Sequence, residues 1–144
     1  MVITGEITIE SEGNNEIVDL TPLVVAWLDD ILGDDRDSVA GARDGTITIF
    51  APHTTVGITA LEFETGANRD LAAAVEAMAP TSGEFGHNKV DSNGHAHVRG
   101  SIVGPSLTVP LIEGRPALGQ WQTMAMIDFD DRPRKRTLIL SLAT

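Results

Sequence analysis

The sequence predicts an α+β fold, with a mostly antiparallel sheet or sheets and helices packed on one side. Three observations support this class. Several segments alternate apolar and polar residues with the period of two that is typical of strands, two segments have apolar residues at helical spacing, and the helical segments precede most of the strands. The 144 residues contain no internal repeat and no loop long enough to be a linker. We therefore expect one domain over residues 1–144.

The N-terminal segment predicts a strand followed by a helix. Isoleucines alternate with polar residues between positions 3 and 9, as expected for a half-buried strand. The helix should have Thr21 as its capping residue and Pro22 at its first position, and it should end at Gly33. Its apolar face would contain Val24, Trp27, Leu28 and Ile31.

The middle of the chain predicts two strands and a second helix. Residues 46–50 alternate cleanly, and residues 56–61 form a second extended run after Pro52. The alanine-rich segment 68–79 predicts a helix that is stopped by Pro80. This helix should bury Leu71, Val75 and Met78. A polar loop with several glycines follows over residues 81–94, and loops of this kind often contain functional groups.

The C-terminal third predicts strands at residues 107–111, 121–129 and 137–142. They are separated by a turn at residues 114–116 and by the basic run at residues 132–136. Because consecutive strands joined by short turns usually pair with each other, we expect an antiparallel meander here.

Composition excludes several classes of function. The net charge of −11 argues against nucleic-acid binding, which needs clustered basic residues. No apolar run approaches the length of a membrane span and no secretion signal is evident, so we expect a soluble, cytoplasmic protein without membrane partners. The absence of cysteine leaves His, Asp and Glu as the strong metal ligands. Acidic residues concentrate at Asp29, Asp30, Asp34, Asp35 and Asp37, whereas the basic run at 132–136 would attract an anion.

All four histidines lie between positions 53 and 97, beside polar or glycine-containing loops. Histidine serves both proton transfer and metal binding, so the cluster indicates one of these two uses. An extended backbone would place His95 and His97 on the same side as a chelating pair, whereas a helix would point them apart. His97 together with His53 and His87 is the favoured set, and a structural role for each histidine stays open.

Three carboxylates are candidates for chemistry. Glu62 interrupts an apolar run at residues 58–63, where a charge needs a partner if it is buried. It could be a general base, a metal ligand, an anchor for a histidine, or an exposed residue at the end of a strand. Asp128 and Asp130 are two residues apart and should share one face of a strand. Arg134 is their candidate partner.

Several motifs together resemble the YjbQ-type family of secondary thiamine-phosphate synthases, and the likeness covers nearly the whole chain. The N-terminal half contributes His53-Thr54-Thr55, Ile58-Thr59, Glu62, Gly86-His87-Asn88 and Asn93-Gly94-His95-Ala96-His97. The C-terminal half contributes Gly104-Pro105-Ser106-Leu107, Gly114-Arg115, Leu118-Gly119-Gln120-Trp121-Gln122 and Asp128-Phe129-Asp130 with Arg134 and Arg136. The chain departs from the family pattern at Phe63, Phe85, Gln120 and the turn at Asp131-Arg132-Pro133.

The resemblance implies a trimeric α+β protein with weak thiamine-phosphate synthase activity, which couples a hydroxymethylpyrimidine diphosphate to a thiazole phosphate. It implies catalytic roles for His53, Glu62 and Asn93, and a divalent metal, Zn²⁺ or Mg²⁺, or a phosphate held by the histidines. The implied metal ligands are His53, His87 and His97, and the implied substrate-binding residues are Arg134, Arg136, Trp121 and Gln122. The expected partner is a small phosphorylated molecule. The alternative is a noncatalytic homotrimer that binds a metal or a small ligand with the same histidines.

Overall fold

The computed structural model describes residues 1–33 and 44–144 of the chain. Asp34, Asp35 and Asp37 of the acidic cluster lie outside these residues. The helices of the described part are α1 Thr21–Leu32, α2 Thr65–Met78 and α3 Gly94–Val103, and a short 3₁₀-helix spans Gly86–Lys89. The strands are β1 Val2–Ser11, β2 Glu16–Asp19, β3 Gly45–Phe50, β4 Val56–Leu61, β5 Ser106–Ile112, β6 Arg115–Pro116, β7 Thr123–Asp128 and β8 Arg134–Ala143.

The strands form two antiparallel sheets. One sheet has the order β1-β8-β3-β5-β6 and the other has the order β2-β7-β4. The α+β prediction is therefore confirmed, but the predicted C-terminal meander is wrong. β7 lies between β2 and β4 in the smaller sheet, and β8 lies between β1 and β3 in the larger one. Periodicity identifies a strand, but it contains no information about which strand will be the partner.

The smaller sheet lies at the centre of the molecule, because both faces of β7 are covered. Met124 and Met126 belong to the main core, to which both sheets and α1 contribute. Ile127 and Phe129 belong to a second core that also includes Val75 of α2. Helices α2 and α3 thus cover one face of this sheet. No helix in the two described ranges is long and apolar enough to cross a membrane.

Helix α1 has the predicted apolar face, but its start is held differently. Asp19 accepts a hydrogen bond from the Thr21 backbone N–H at 2.8 Å. The Thr21 hydroxyl instead accepts one from the Met124 backbone N–H at 3.0 Å, which ties the helix to β7. The capping role predicted for Thr21 is therefore wrong. Gly33 ends the helix with a φ of 66°, as the sequence predicted.

Helix α2 begins three residues before the predicted boundary. The Glu64 carboxylate accepts hydrogen bonds from the backbone N–H groups of Gly66 at 2.8 Å and Ala67 at 2.9 Å, so it caps the helix. Glutamate is not among the usual capping residues, and the sequence pattern missed it. Val75 is buried as predicted. Met78 is 47% exposed, so its predicted burial is wrong.

Helix α3 approaches β4 closely because glycines lie on both sides of the contact. A Cβ atom at Gly100 would be 2.9 Å from the Thr54 carbonyl oxygen, and one at Gly57 would be 2.4 Å from a Val103 methyl group.

Helix α3 also determines how His95 and His97 are arranged. Positions 95 and 97 of a helix differ by roughly 200° about its axis. The extended His95–His97 chelate is therefore wrong.

Candidate functional site

A pocket of about 510 Å³ opens where the loop after β3, the segment before α3 and the start of β8 meet. It has the size of a typical small-molecule site. We call it the His53 pocket and define it by its lining residues: Pro52, His53, Thr54, Thr55, His87, Val90, Asp91, Asn93, His97, Asp130, Arg134 and Arg136. Six of the predicted site residues therefore converge on one cavity, from three separate parts of the chain.

Three histidines contribute to this pocket. His53 Nε2 lies 2.9 Å from the Thr137 carbonyl oxygen. Because a carbonyl can only accept, Nε2 carries the proton and Nδ1 is the nitrogen left for a ligand. The rings of His87 and His97 lie against each other, with centroids 4.1 Å apart and planes tilted by 50°. Burial lowers the pKa of His97, and the nearby His87 lowers it further.

Asp130 organises the polar wall of the pocket and is almost fully buried. It accepts hydrogen bonds from Thr55 Oγ1 (3.1 Å), Asn93 Nδ2 (3.2 Å), the Asp131 backbone N–H (2.9 Å), Arg134 Nε (3.1 Å) and Arg136 Nη2 (3.3 Å). Burial raises the pKa of Asp130, but the hydrogen bonds from Asn93 and from the backbone outweigh it, so the net pKa lies below the usual value. Asp130 is therefore an anion that fixes its neighbours.

Arg136 has most of its hydrogen-bonding capacity used inside the protein. Its Nε and Nη2 donate to the two Asp128 oxygens at 2.7 and 2.8 Å, and Nη2 also reaches Thr55 Oγ1 at 2.9 Å. Burial lowers the pKa of Arg136, but the hydrogen bonds to Asp128 raise it more, so the guanidinium stays charged. Asp128 thus pairs with Arg136, whereas the sequence suggested Arg134. The predicted pairing with Arg134 is correct for Asp130.

Arg134 is the more available of the two arginines. Its side chain is 40% exposed, and its Nε bonds Asp130. Its two Nη groups make no hydrogen bond with any described residue, so they are free to donate to a ligand. Asn93 offers the complementary group. Its buried Oδ1 has no hydrogen-bond partner in the described part of the chain, which a donor on a ligand would supply.

The donor set of the pocket fits an anion better than a metal ion. Among residues 1–33 and 44–144, no group of three or more His, Asp or Glu side chains is arranged to hold a metal. A zinc site needs three or four such ligands on one ion. The metal site predicted at His53, His87 and His97 is not formed by such a group among the described residues, and it stays a prediction. Imidazole and guanidinium donors are instead typical of phosphate recognition.

Three predicted site residues lie outside the pocket. Glu62 is exposed just after β4, and Trp121, which is 67% exposed, lies with Gln122 just before β7. β4 and β7 are antiparallel and pair Leu61 with Thr123, so these side chains gather at one end of the sheet. The six residues of β4 separate them from the His53 pocket by roughly 20 Å. Gln122 Oε1 accepts the Gly119 backbone N–H at 2.8 Å.

Sequence reasoning gave no site role to five pocket residues, Pro52, Thr54, Thr55, Val90 and Asp91, and it treated Asp130 only as an ion-pair partner. Thr55 lies two residues after His53 in the predicted joint between two strands, so that proximity was the available signal. Asp91 lies within the polar loop that was expected to contain functional groups. His95, in contrast, is buried outside the pocket with an unpartnered Nδ1 among the described residues. Burial lowers its pKa, and the charge of Arg99 lowers it further.

Comparison with known proteins gives consistent matches over the whole chain. A family model described as UPF0047 protein YjbQ-like matches residues 5–144. A UPF0047 protein from Methanothermobacter thermautotrophicus is 31% identical over 142 residues, which are 99% of this chain and 92% of that protein. A YbjQ-like protein of unknown function from Sulfolobus solfataricus has a solved structure with a TM-score of 0.87 and 25% identity, covering 99% of this chain and 96% of that one. A hypothetical protein from Aeropyrum pernix has a TM-score of 0.86 and 30% identity, covering 98% of each chain.

Proposed function

Because this chain belongs to the UPF0047 protein YjbQ-like family, we propose that it is a thiamine-phosphate synthase-like transferase that binds its phosphorylated substrates in the His53 pocket. The supporting observation is the convergence of three histidines, Asn93 and Arg134 on one cavity of about 510 Å³. The cavity offers the guanidinium Nη donors of Arg134 to an anion, as a diphosphate substrate requires, and it offers acceptor atoms of His53 and Asn93 to the rest of the substrate.

The proposed reaction forms one bond and breaks one bond. The ring nitrogen of the thiazole phosphate attacks the exocyclic methylene carbon of the hydroxymethylpyrimidine diphosphate, and a C–N bond forms. The C–O bond to the diphosphate breaks, and pyrophosphate leaves with the electron pair. No electron acceptor and no strong base are needed. The main catalytic requirement is therefore stabilisation of the negative charge that develops on the leaving group.

The pocket residues divide this work. The Nη groups of Arg134 would bind the diphosphate at the rim, because they have no partner among the described residues. His53 would accept a hydrogen bond from the substrate through Nδ1, since its Nε2–H donates to the Thr137 carbonyl. Asn93 would accept a hydrogen bond through its unpartnered Oδ1. Arg136 would act indirectly, by holding Asp130, the carboxylate that positions Arg134.

A homotrimer is part of the proposal, because a neighbouring subunit could bring the predicted residues that lie far from the His53 pocket into a shared site. Glu62, Trp121 and Gln122 cannot reach the His53 pocket of their own subunit. A neighbouring subunit could place this end of its sheet against the pocket. The large exposed surface of Trp121 and of Phe63 at the same end supports a protein contact there. The predicted divalent metal, Zn²⁺ or Mg²⁺, would likewise need a ligand from outside the subunit, and no step above depends on it.

Activity of the purified protein on the two synthetic substrates tests the proposal. Product and pyrophosphate should form together. Arg134→Ala, through lost charge stabilisation, and His53→Ala, through lost positioning of the substrate, should each lower kcat/KM by at least about tenfold. Lys135→Ala is the matched control, because Lys135 follows Arg134 in β8 and faces the other side of the strand. Binding of pyrophosphate without any product would instead support the noncatalytic alternative.

The metal and the assembly are tested together. Protein purified without chelator should have the mass of a trimer in solution, and its metal content is measured by elemental analysis for the unmodified chain and for His97→Ala. Near-stoichiometric metal that is lost in His97→Ala would establish a histidine metal site. A metal-free trimer would leave the histidines and Arg134 as a direct phosphate site, and a monomer would contradict the shared site.

A further inference from the structure

A second cavity, of about 400 Å³, adjoins the His53 pocket. The two cavities share four lining residues, namely Pro52, His53, Thr54 and His97. The remaining residues of the second cavity are Phe50, Ala51, Val56, Gly100, Ser101 and Pro105. We call it the Phe50 pocket. His53 and His97 therefore form a common wall, with one compartment on each side.

The two compartments differ in chemical character. The His53 pocket contains Asp91, Asp130, Arg134 and Arg136 in addition to its histidines. No described Asp, Glu, Lys or Arg lines the Phe50 pocket, and Ser101 and Thr54 are its hydroxyl-bearing residues. Phe50 lines this cavity and is 40% exposed. Charge recognition is thus confined to one side of the histidine wall, and apolar contact is available on the other.

The fold holds this arrangement in place through α3. His97, Gly100 and Ser101 are spaced i, i+3 and i+4, so they lie on one face of the helix. Gly100 contacts the backbone of Thr54 and Val56 so closely that a Cβ atom there would be 2.9 Å from a carbonyl oxygen. Helix α3 therefore lies directly against the segment that contains His53. This contact fixes the position of His97 and Ser101 relative to His53.

We propose that the natural ligand is bipartite, with a phosphate or diphosphate group in the His53 pocket and an uncharged aromatic or heteroaromatic ring in the Phe50 pocket. The bond that joins the two parts would lie beside His53 and His97. This inference rests on the proposed function, because it places the phosphate where that function requires it. It adds the location of the ring and identifies Phe50 and Ser101 as residues that select it.

The size and the lining of the Phe50 pocket favour a ring. A volume of about 400 Å³ accommodates one or two rings but no folded polypeptide element. Phe50 offers an aromatic face for an offset stacking contact, which adds to the gain from burying apolar surface. The single hydroxyl groups of Ser101 and Thr54 can orient a ring substituent or ring nitrogen by hydrogen bonding.

Comparison of inorganic phosphate with benzyl phosphate tests the proposal by calorimetry on the full chain. Both probes carry the same anionic group, and benzyl phosphate adds one ring on a methylene linker. The ring should raise the affinity by roughly ten- to hundredfold through removal of apolar surface from water. Ser101→Trp should fill the Phe50 pocket and remove this gain while it leaves phosphate binding unchanged. Ile102→Trp is the matched control, because Ile102 is the next residue of α3, is exposed and does not line either cavity.

Equal affinity of the unmodified chain for the two probes would overturn the proposal, and so would equal losses in Ser101→Trp and Ile102→Trp. If Ser101→Trp does not fold, transferred nuclear Overhauser contacts between the benzyl ring and Phe50 in the unmodified chain replace it, and their absence would also overturn the proposal. Failure of the proposed function can be distinguished from failure of the bipartite site. A chain that binds benzyl phosphate in both pockets but makes no thiamine phosphate retains the bipartite site and loses the synthase activity.

Discussion

Two buried arginines, Arg99 in α3 and Arg136 in β8, organise different regions of the molecule. Arg99 is 1% exposed and Arg136 is 5% exposed. Both donate several hydrogen bonds and both pair with a carboxylate, so their surroundings resemble each other at first sight. Their partners differ, however, in exposure to water. That difference predicts which arginine the fold tolerates losing.

Arg99 completes the C-terminal end of α2. It donates through Nε and Nη2 to the Ala79 carbonyl oxygen at 3.0 and 2.6 Å, and through Nη1 to Asn15 Oδ1 at 2.9 Å. Its ionic partner, Glu76, lies 2.6 Å away and is 47% exposed. A helix C-terminus is stabilised by a nearby cation, because its last carbonyl groups lack partners within the helix. Removal of Arg99 would leave Glu76 in contact with water.

Arg136 has two ionic partners, and both are cut off from water. Asp128 and Asp130 are 0% and 2% exposed, and they lie 2.7 and 3.3 Å from the guanidinium. A buried carboxylate without its cation cannot regain the hydration that it lost on folding. The stability lost with a buried arginine therefore depends on whether water can hydrate its carboxylate partner afterwards. Arg99 caps a helix, whereas Arg136 supports the His53 pocket.

The largest effect is expected for Arg136→Met. The substitution keeps the bulk of the side chain but leaves the buried Asp128 without its cation and removes one of the guanidinium groups that pair with Asp130, so the free energy of unfolding should fall by roughly 3 to 5 kcal/mol. Urea unfolding measures it. Arg134→Met is the control and should cost less than about 1 kcal/mol, because Arg134 is well exposed. A similar small loss in Arg136→Met would break the distinction between the two regions. Asp128→Asn in the Arg136→Met background should restore part of the loss.

A smaller effect is expected for Arg99→Met. The Ala79 carbonyl and Asn15 would lose their donors, whereas Glu76 would be hydrated, so the free energy of unfolding should fall by roughly 2 to 3 kcal/mol. Urea unfolding under the same conditions gives the comparison. Ligand affinity for inorganic phosphate should not change in the Arg99 variant, since the described structure places Arg99 outside the His53 pocket. A loss that exceeds the loss in Arg136→Met would contradict the argument from solvent exposure.

The smallest effect concerns pH and Glu76. Hydrogen bonds from the Thr81 side chain and backbone, followed by the bond from Arg99, lower the pKa of Glu76 from 4.5 to about 2. A carboxyl group whose pKa is lower in the folded state contributes stability above its unfolded pKa and loses it as the pH falls through the folded pKa. The contribution should therefore disappear between about pH 4.5 and pH 2. Glu76→Gln should have a shallower fall in stability over this window, measured by urea unfolding at several pH values, and an unchanged slope would rule the contribution out.

Local elements of the fold were predictable from short-range patterns. The bounds of β4 match the predicted run, because a short apolar segment that follows Pro52 defines it locally. The start of α2 was missed because its capping group is Glu64, a residue type that seldom has this role. The order of strands in the sheets was not predictable either. The strand order depends on which apolar faces fit together across the core, and the residue pattern of a single sequence does not identify those faces.

The candidate site was predictable in part for a similar reason. His53, His87, His97 and Asn93 lie in or beside loops and converge because those loops meet at one end of the smaller sheet. Glu62 was grouped with them by family resemblance, but β4 places it at the other end. Only part of the arginine network was predictable from the sequence. A two-residue spacing indicated that Asp128 and Asp130 share a face, whereas the choice of Arg136 as the partner of Asp128 depends on strand register.

The position of β8 in the larger sheet has a consequence for biosynthesis. β1 pairs with β8 along its whole length, from Val2 opposite Ala143 to Ser11 opposite Arg134. β3 pairs with the other edge of β8. Before β8 has been synthesised, β1 and β3 cannot take their native positions in the sheet, because β8 is the strand that lies between them. Contacts between positions so far apart in sequence form slowly. The larger sheet can therefore be completed only after residues 134–143 have been synthesised, and until then the edges of β1 and β3 that β8 covers lack their native partner.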